Sequence, residues 1–332
     1  MSKDAGFSEV DGAKIIRHGS EILAGADGRQ KGSLCGSFKE MTFDDCFREQ
    51  FINFDSRKKV GDYALGRILG EGSFSKVRLG KRISNGEKVA IKIIPKKTMM
   101  KQNEARCRFL RETKTLRLIT HKNIVRLYEM METSSNYYLV MSLQQGECFK
   151  DYLRRRKCLS ETEARPMVYQ LGEAVSYLHA ISVVHRDLKP ENVIVSDKTV
   201  TIIDFGLSAC ARHGDVMRTQ CGSPAYAAPE VFVGEPYTSS VDVWSLGVMM
   251  YLMLTGSHPF SHAHFKSYTQ LYAVILKGYT LPQWISLSKE CSDLLSQMLQ
   301  LEPAKRISAS SLLEHSWLCD LSKREPGALI HS

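Results

Sequence analysis

No run of about eighteen apolar residues occurs in the 332 residues, so no membrane-spanning helix is expected. The opening Met1-Ser2-Lys3-Asp4 has neither an apolar signal core nor a glycine placed for myristoylation, so no secretory route or lipid anchor is expected from it. Nine cysteines stand at 35, 46, 107, 148, 158, 210, 221, 291 and 319, yet none forms a Cys-x-x-Cys pair. That spacing argues against structural zinc and disulfides, and for reduced thiols in the cytosol or nucleus. Aromatics are not interleaved with the basic clusters at 92–117 and Arg154-Arg155-Arg156-Lys157. The net charge of +9 therefore reads as a solvated helix face or docking patch, not a nucleic-acid surface. None of that excess comes from the first sixty residues, where acids balance bases. Repeats and low-complexity tracts are lacking too, so a repeat array is not expected.

What is there is an ordinary apolar fraction, 43%, in a chain long enough for one large two-lobed unit or two domains. Residues 1–60 are polar and weakly periodic. They are expected to be largely disordered, with one short helix near Thr42–Phe51, where Phe47, Phe51, Ile52 and Phe54 could pack on the strand-forming residues after it. Residues 61–141 alternate apolar and polar and read as strands with one helix. From about 146 helical periodicity dominates. Ser160 with Glu163 three residues later marks a helix start, and Met167, Leu171, Ala174, Val175 and Leu178 form its core stripe. Pro166 intrudes on that helix at a cost of about 3 kcal/mol, so a kink or a broken first turn is expected.

The most informative stretch is His185-Arg186-Asp187-Leu188-Lys189-Pro190-Glu191-Asn192, with Asp204-Phe205-Gly206 beginning twelve residues past Asn192. A carboxylate stands on a short loop with a Lys two residues on and an Asn five residues on. A second carboxylate comes after the apolar runs Val193-Ile194-Val195 and Val200-Thr201-Ile202-Ile203. Phosphoryl transfer needs a base beside the nucleophilic hydroxyl, and oxygen ligands for the magnesium ions that neutralise the phosphates. Asp187 suits the first task, Asn192 and Asp204 the second. A lone Asp or Asn is usually a turn residue or helix cap; the order and spacing of the whole set carry the reading. Upstream, Gly70-Glu71-Gly72-Ser73-Phe74-Ser75-Lys76-Val77 is a glycine-rich turn between strand-like segments, with Ser75 where a third glycine would stand. Backbone lying over a triphosphate needs residues without a Cβ. Val89-Ala90-Ile91-Lys92 is an alternating strand that aims one ammonium inward. Downstream, Ala228-Pro229-Glu230 closes the segment begun at Asp204, and Asp242-Val243-Trp244-Ser245-Leu246-Gly247 opens an apolar helix.

This set resembles the protein kinases over about residues 61–318. The string Thr219-Gln220-Cys221-Gly222-Ser223-Pro224-Ala225-Tyr226-Ala227-Ala228-Pro229-Glu230 is similar to the calmodulin-kinase group, and within it to the relatives of AMP-activated protein kinase. The resemblance implies an α+β, two-lobed kinase fold. A small antiparallel β-sheet lobe with one helix is expected over about 61–143, and a larger, mainly α-helical lobe over about 144–318. An N-terminal extension, 1–60, and a short tail, 319–332, flank them. The implied function is a serine/threonine protein kinase using ATP and magnesium on protein substrates; the alternative is a catalytically inactive scaffold of the same fold. Lys92, Asp187, Asn192 and Asp204 are all present, which argues against the scaffold. In the family's pattern Lys189 and Ser223 contact the catalytic Asp187 and the attacking hydroxyl. Lys92 binds phosphate and is held by Glu112, in the helical run 108–116. Arg306 pairs with Glu230 as a buried structural ion pair. Thr219 is the implied switch, phosphorylated by an upstream activating kinase and read by Arg186 and Arg108.

The same register implies the nucleotide site. Leu69, Gly70, Gly72 and Ser73 belong to the glycine-rich cover. Val77 and Ala90 form an apolar roof, Ile194 the floor, Met141 the gatekeeper position, and Ser142–Gln144 the hinge that offers backbone hydrogen bonds. Leu116, Leu127, His185 and Phe205 resemble the family's internal apolar spine. One departure stands out. Relatives usually show an acidic hinge residue and then Gly-Gly-Glu, whereas this chain reads Ser142-Leu143-Gln144-Gln145-Gly146-Glu147-Cys148. Cys148 replaces the Glu that in basophilic relatives meets the ribose and a substrate Arg. Glu191 is retained and can still attract a basic substrate residue, but with Cys148 in that place the resemblance no longer implies a preference for Arg upstream of the target hydroxyl.

Overall fold

The alternation of apolar and polar residues that begins near Val60 produces strands, because successive side chains of an extended backbone point to opposite faces. In the computed structural model of the chain, the residues described are 8–10, 13–15, 55–72, 75–98, 113, 116–204, 209–210, 217, 222–260 and 267–322. The chain divides into two compact units, residues 1–120 with 125–145, and residues 121–124 with 146–332. Residues 121–124 belong to the second unit for a local reason. Asn123 donates its side-chain amide to the Val200 carbonyl at 2.7 Å and to Gln170 at 2.8 Å, and Ile124 bridges to Ile202.

The first unit is one antiparallel sheet. Its strands are β1 (Ser8–Val10), β2 (Ala13–Ile15), β3 (Asp55–Val60), β4 (Tyr63–Glu71), β5 (Lys76–Arg82), β6 (Lys88–Pro95), β7 (Leu127–Glu132) and β8 (Asn136–Ser142), in the order β1-β2-β7-β8-β6-β5-β4-β3. The chain crosses from β6 to β7 and then returns as β8 between them, so β8 is central and Val140 is fully buried. Val60, Tyr63, Val89, Ile91, Met131 and Val140 form a core cluster on one face. Each such side chain contributes about 1.5–3 kcal/mol by leaving water. Ala90 and Lys92 alternate with Val89 and Ile91, which puts them on the opposite face. β1, β2 and β3 lie inside the stretch expected to be largely disordered; β3 pairs with β4, and the β1–β2 hairpin pairs with β7. The short helix expected near Thr42–Phe51 lies outside the described residues. So does the run around Glu112, apart from Thr113 and Leu116, which are helical.

The second unit is mainly helical. β9 (Glu147–Cys148) pairs with β11 (Val193–Ser196), which also pairs with β12 (Thr199–Ile202); β10 (Val183–Val184) pairs with β13 (Ala209–Cys210). The helices are α1 (Phe149–Arg156), α2 (Glu161–Ala180), α3 (Pro229–Val233), α4 (Ser240–Thr255), α5 (Tyr268–Ile275), α6 (Lys289–Met298), α7 (Ala309–Glu314) and α8 (Cys319–Ser322). Ser160 caps α2 in a reciprocal capping box with Glu163, and the stripe Met167, Leu171, Ala174, Val175 and Leu178 is buried. The broken first turn expected at Pro166 does not occur: α2 runs unbroken through it. Proline there removes one hydrogen bond, to the Thr162 carbonyl, while the capping box holds the first turn and the buried stripe holds the rest. α2 packs against α4 and α7. α4 is buried on nearly every side, as its predominantly apolar sequence requires. Among the described residues, no helix is long and apolar enough to cross a membrane.

Candidate active site

The loop after β10 carries His185, Arg186 and Asp187, and a buried carboxylate sets its path. Arg186 has φ +66°, a left-handed conformation that is strained for a side chain other than glycine. The amides of His185 and Arg186 both donate to Asp242, at 2.9 and 2.8 Å. Asp242 lies in the first turn of α4, fully buried, with His179 Nε2 2.9 Å from its Oδ2. Burial works to raise the Asp242 pKa, but His179 and the backbone donors outweigh it and hold the carboxyl below the usual range. His185 moves down instead: burial disfavours its charged form more than the surrounding aspartates favour it. The motif pattern of the sequence does not reveal Asp242 and His179 as site residues. The available signal is an Asp inside an otherwise apolar helix, because a buried charge needs partners.

Asp187 gathers three of the sequence-identified residues. Its Oδ2 is 2.8 Å from Lys189 Nζ and accepts from Asn192 Nδ2 at 3.1 Å. Its Oδ1 accepts from the Ser223 amide at 2.9 Å, and its carbonyl accepts from Asn192 Nδ2 at 2.8 Å. Lys189 also donates to the Ser223 hydroxyl at 2.6 Å. Gly222 makes this closure possible. It has φ +95°, and a Cβ there would sit 2.5 Å from the Arg186 carbonyl oxygen. Asn192 is buried in the short 3-10 turn Pro190–Asn192, and its carbonyl accepts from the Ile203 amide at 2.9 Å. That bond brings Asp204, the next residue, alongside Asn192.

On the first unit, Val77 lies directly opposite Lys92 on the neighbouring strand, and Ala90 opposite both Leu79 and Met141. Directly opposed residues share a face, so Val77, Ala90, Lys92 and Met141 stand on one surface. The Gly72 amide donates to the Ser75 carbonyl at 2.8 Å, which closes the glycine-rich turn below Leu69 and Gly70. A Cβ at Gly72 would meet only ordinary contacts with Ser75, so internal packing does not demand glycine there. The Ser142 amide donates to Arg126, and its hydroxyl accepts from Gln144 Nε2 at 2.9 Å. Leu143 and Gln144 make no backbone hydrogen bonds among the described residues. Ile194 lies on β11 in the second unit, opposite Cys148 and Thr201. Ser73, Phe205, Glu112, Arg108 and Thr219 lie outside the described residues, so the expected Lys92–Glu112 pair and Thr219 switch are not located.

Glu230 and Arg306 meet as the sequence suggests, at 2.7 Å and nearly inaccessible. The guanidinium also donates to the carbonyls of Gln300 and Ser240 and lies 5.2 Å over the Trp244 ring. Glu191 lies in the short 3-10 turn Pro190–Asn192. Its carboxylate is already engaged by Lys150 at 3.0 Å, and Glu147 by Arg155 at 2.7 Å. The sequence does not foretell the Glu191–Lys150 pair, because it joins segments forty-one residues apart, whereas Glu147 and Arg155 stand eight residues apart on β9 and α1.

The family model described as "Protein kinase domain" matches residues 63–318. The hormonally up-regulated neu tumor-associated kinase homolog A of Xenopus laevis is 44% identical over 277 residues, 82% of this chain and 40% of that protein. Its human counterpart is 42% identical over 298 residues, 88% of this chain and 42% of that protein. The SNF1-related protein kinase catalytic subunit alpha KIN12 of Arabidopsis thaliana is 41% identical over 259 residues, 77% of this chain and 51% of that protein. The chain thus spans less than half the length of the first two relatives.

Proposed function

Because the chain belongs to the protein kinase family, with the two-lobed fold of that family, we propose that it is an active serine/threonine kinase. It transfers the γ-phosphate of ATP to Ser and Thr hydroxyls of proteins, with magnesium. The observation that carries this reading is the Asp187 cluster. A carboxylate held by Lys189, Asn192 and the Ser223 amide can accept the proton of an incoming hydroxyl. Lys189 has three N–H donors and spends two on Asp187 and Ser223, so a third remains for the negative charge of the transferring group. The Lys189–Ser223 bond supports the serine/threonine class, since both residues match that class's pattern.

The residues fit the cofactors. Asn192 spends its N–H donors on Asp187, which leaves its amide oxygen as an acceptor beside the Asp204 segment. Such hard oxygen donors suit magnesium, which characteristically takes one or two protein ligands plus phosphate and water. Bound magnesium would supply neutralisation of phosphate charge. Gly72 leaves open the space a Cβ would fill, Leu143 and Gln144 retain backbone groups for an adenine edge, and Val77, Ala90 and Met141 offer an apolar surface with Lys92 beside it. Activation by an upstream kinase at Thr219 is part of the proposal, as is a reducing compartment, cytosolic or nuclear. Among the described residues the thiols of Cys148, Cys158 and Cys291 are free, which supports the latter.

A phosphotransfer assay on a peptide library, with purified chain, ATP and magnesium, tests the reading. Asp187→Asn and Asp204→Asn should each abolish transfer while keeping the wild-type circular dichroism spectrum. More than about a tenth of wild-type transfer in either variant would overturn the assignment. Thr219→Ala should fall well below a phosphorylated wild type measured beside it.

A further inference from the structure

Two acids, Glu191 in the turn after Asp187 and Glu147 next to Cys148 on β9, are both paired with bases of the same chain. Glu191 Oε1 is 3.0 Å from Lys150 Nζ; Glu147 accepts from Arg155 Nη2 at 2.7 Å and from its Nε at 3.3 Å. The acids' side chains are 20% and 13% exposed, those of Lys150 and Arg155 49% and 60%. Solvent beside Glu191 therefore meets an ammonium, and solvent beside Glu147 a guanidinium. Glu191 lies four residues after Asp187, so at most about 14 Å of extended chain separates them. Cys148, between Glu147 and α1, reaches the same turn, with Sγ 3.9 Å from the Pro190 carbonyl. It adds no charge, because burial pushes its thiol pKa up.

We propose that this surface selects substrates with acidic residues, Asp or Glu, within about four positions of the target hydroxyl, read by Lys150 and Arg155. The proposal rests on the kinase reading and names its substrate class. Lys150 spends one of its three donors on Glu191, and Arg155 spends Nε and Nη2 on Glu147, so each has donors for a second carboxylate. A substrate Arg would have to displace Lys150 or Arg155. Those competitors are tethered in the same molecule at an effective concentration of roughly millimolar or more. The newcomer gains only the difference between two similar pairs. Glu191 Oε2 has no hydrogen-bond partner, but it is enclosed. Its charge falls on Tyr226, whose phenol is held above the usual range by burial first and by Glu191 second. That oxygen is inaccessible to solvent, so a guanidinium could reach it only if the groups enclosing it moved.

The test uses the full chain and peptides with one Ser in an alanine background, carrying Glu, Arg or Ala at each of four positions on either side. Steady-state transfer and anisotropy of fluorescein-labelled peptides are both read. At low salt, Glu peptides should exceed their Arg counterparts about three- to tenfold in kcat/KM and in affinity, the scale of one or two exposed ion pairs. The ratio should shrink towards one in 0.5 M salt, on the order of a 4 Å screening length. Lys150→Glu combined with Arg155→Glu should invert it; if that double variant misfolds, Lys150→Ala and Arg155→Ala singly should each reduce it. Preference for Arg, a ratio within about twofold of one at every position, or an unchanged ratio in the variants would overturn the proposal. Charge-selective binding without any transfer would sink the kinase reading and leave standing only the preference of this surface for acidic peptides. Robust transfer blind to charge would do the reverse.

Discussion

Ser223 serves Asp187 in two separable ways: its backbone amide donates to Oδ1, and its hydroxyl accepts from Lys189. The separation gives a graded expectation. Lys189→Ala removes a charge-assisted contact to Asp187 and should lower kcat about a hundredfold, with the KM for ATP changing much less. Ser223→Ala keeps the amide bond to Asp187, so its loss should be milder, and Ser223→Thr should stay near wild type. Steady-state kinetics on one peptide would rank the three; Ser223→Ala at or below Lys189→Ala would show that the hydroxyl, not the ammonium, organises the site. Lys189, Asn192 and Ser223 are legible in the sequence because they fall at fixed offsets within recognisable strings. Asp242 is not, because its task depends on α4 burying it against the catalytic loop.

At the scale of elements, the catalytic loop is held from two sides. Asp242 at the start of α4 fixes its amides, and the absence of a side chain at Gly222 leaves room for the Arg186 carbonyl. Gly222→Ala combines a positive φ with a Cβ at 2.5 Å from backbone, which cannot yield without moving the loop. Transfer should drop at least about tenfold, as expected when catalytic groups lose their alignment. Peptide affinity should fall less, which kinetics with added binding measurements would show. Arg306 joins the segment after α6 to α3 and α4. Removing it leaves Glu230 buried and unpaired, and uncovers Trp244. Arg306→Ala should cost about 3–5 kcal/mol, lowering Tm by roughly 6–15 °C in scanning calorimetry. An Arg306→Ala variant within a few degrees of wild type would mean that the pair is solvated in solution.

For the molecule as a whole, every histidine among the described residues lies in the second unit, and burial lowers the pKa of several of them. His258, enclosed against Tyr226, is pushed down to about 4 from the ordinary histidine value of 6.5. Its neutral form is favoured by folding, so its contribution is complete above pH 6.5 and is lost as pH falls towards 4. A shift of this size corresponds to about 3 kcal/mol. His185 acts in the same direction. The depressed Asp242 carboxyl contributes fully above the ordinary aspartate value of 3.8 and loses that contribution as pH falls from there through its lowered pKa. The second unit should therefore lose stability first on acidification. Trp244, Trp284 and Trp317 all lie in that unit, so tryptophan fluorescence tracks it alone while far-ultraviolet dichroism tracks both. The fluorescence transition should precede the dichroism transition between pH 6 and 4, and His258→Gln should reduce the gap. Coincident transitions in wild type would show that the units unfold together.

The sequence by itself determined the features that depend on near neighbours. Ser160 and Glu163 specify the start of α2 because both capping bonds close within three residues. Asp187, Lys189 and Asn192 meet because a single tight loop spans them. Alternation along β6 puts Ala90 and Lys92 on one face and Val89 and Ile91 on the other. Even the Glu230–Arg306 pair is legible, through the family pattern that both residues match. What only the tertiary structure decided involves charges and packing partners that are distant in the chain. By propensity Pro166 reads as a breaker, yet buried contacts along α2 keep the helix continuous. By sequence Glu191 reads as an open acid, yet Lys150, forty-one residues earlier, occupies it. A carboxylate's meaning is set by which charge the fold brings within 3–4 Å of it, and local sequence carries no record of that distance.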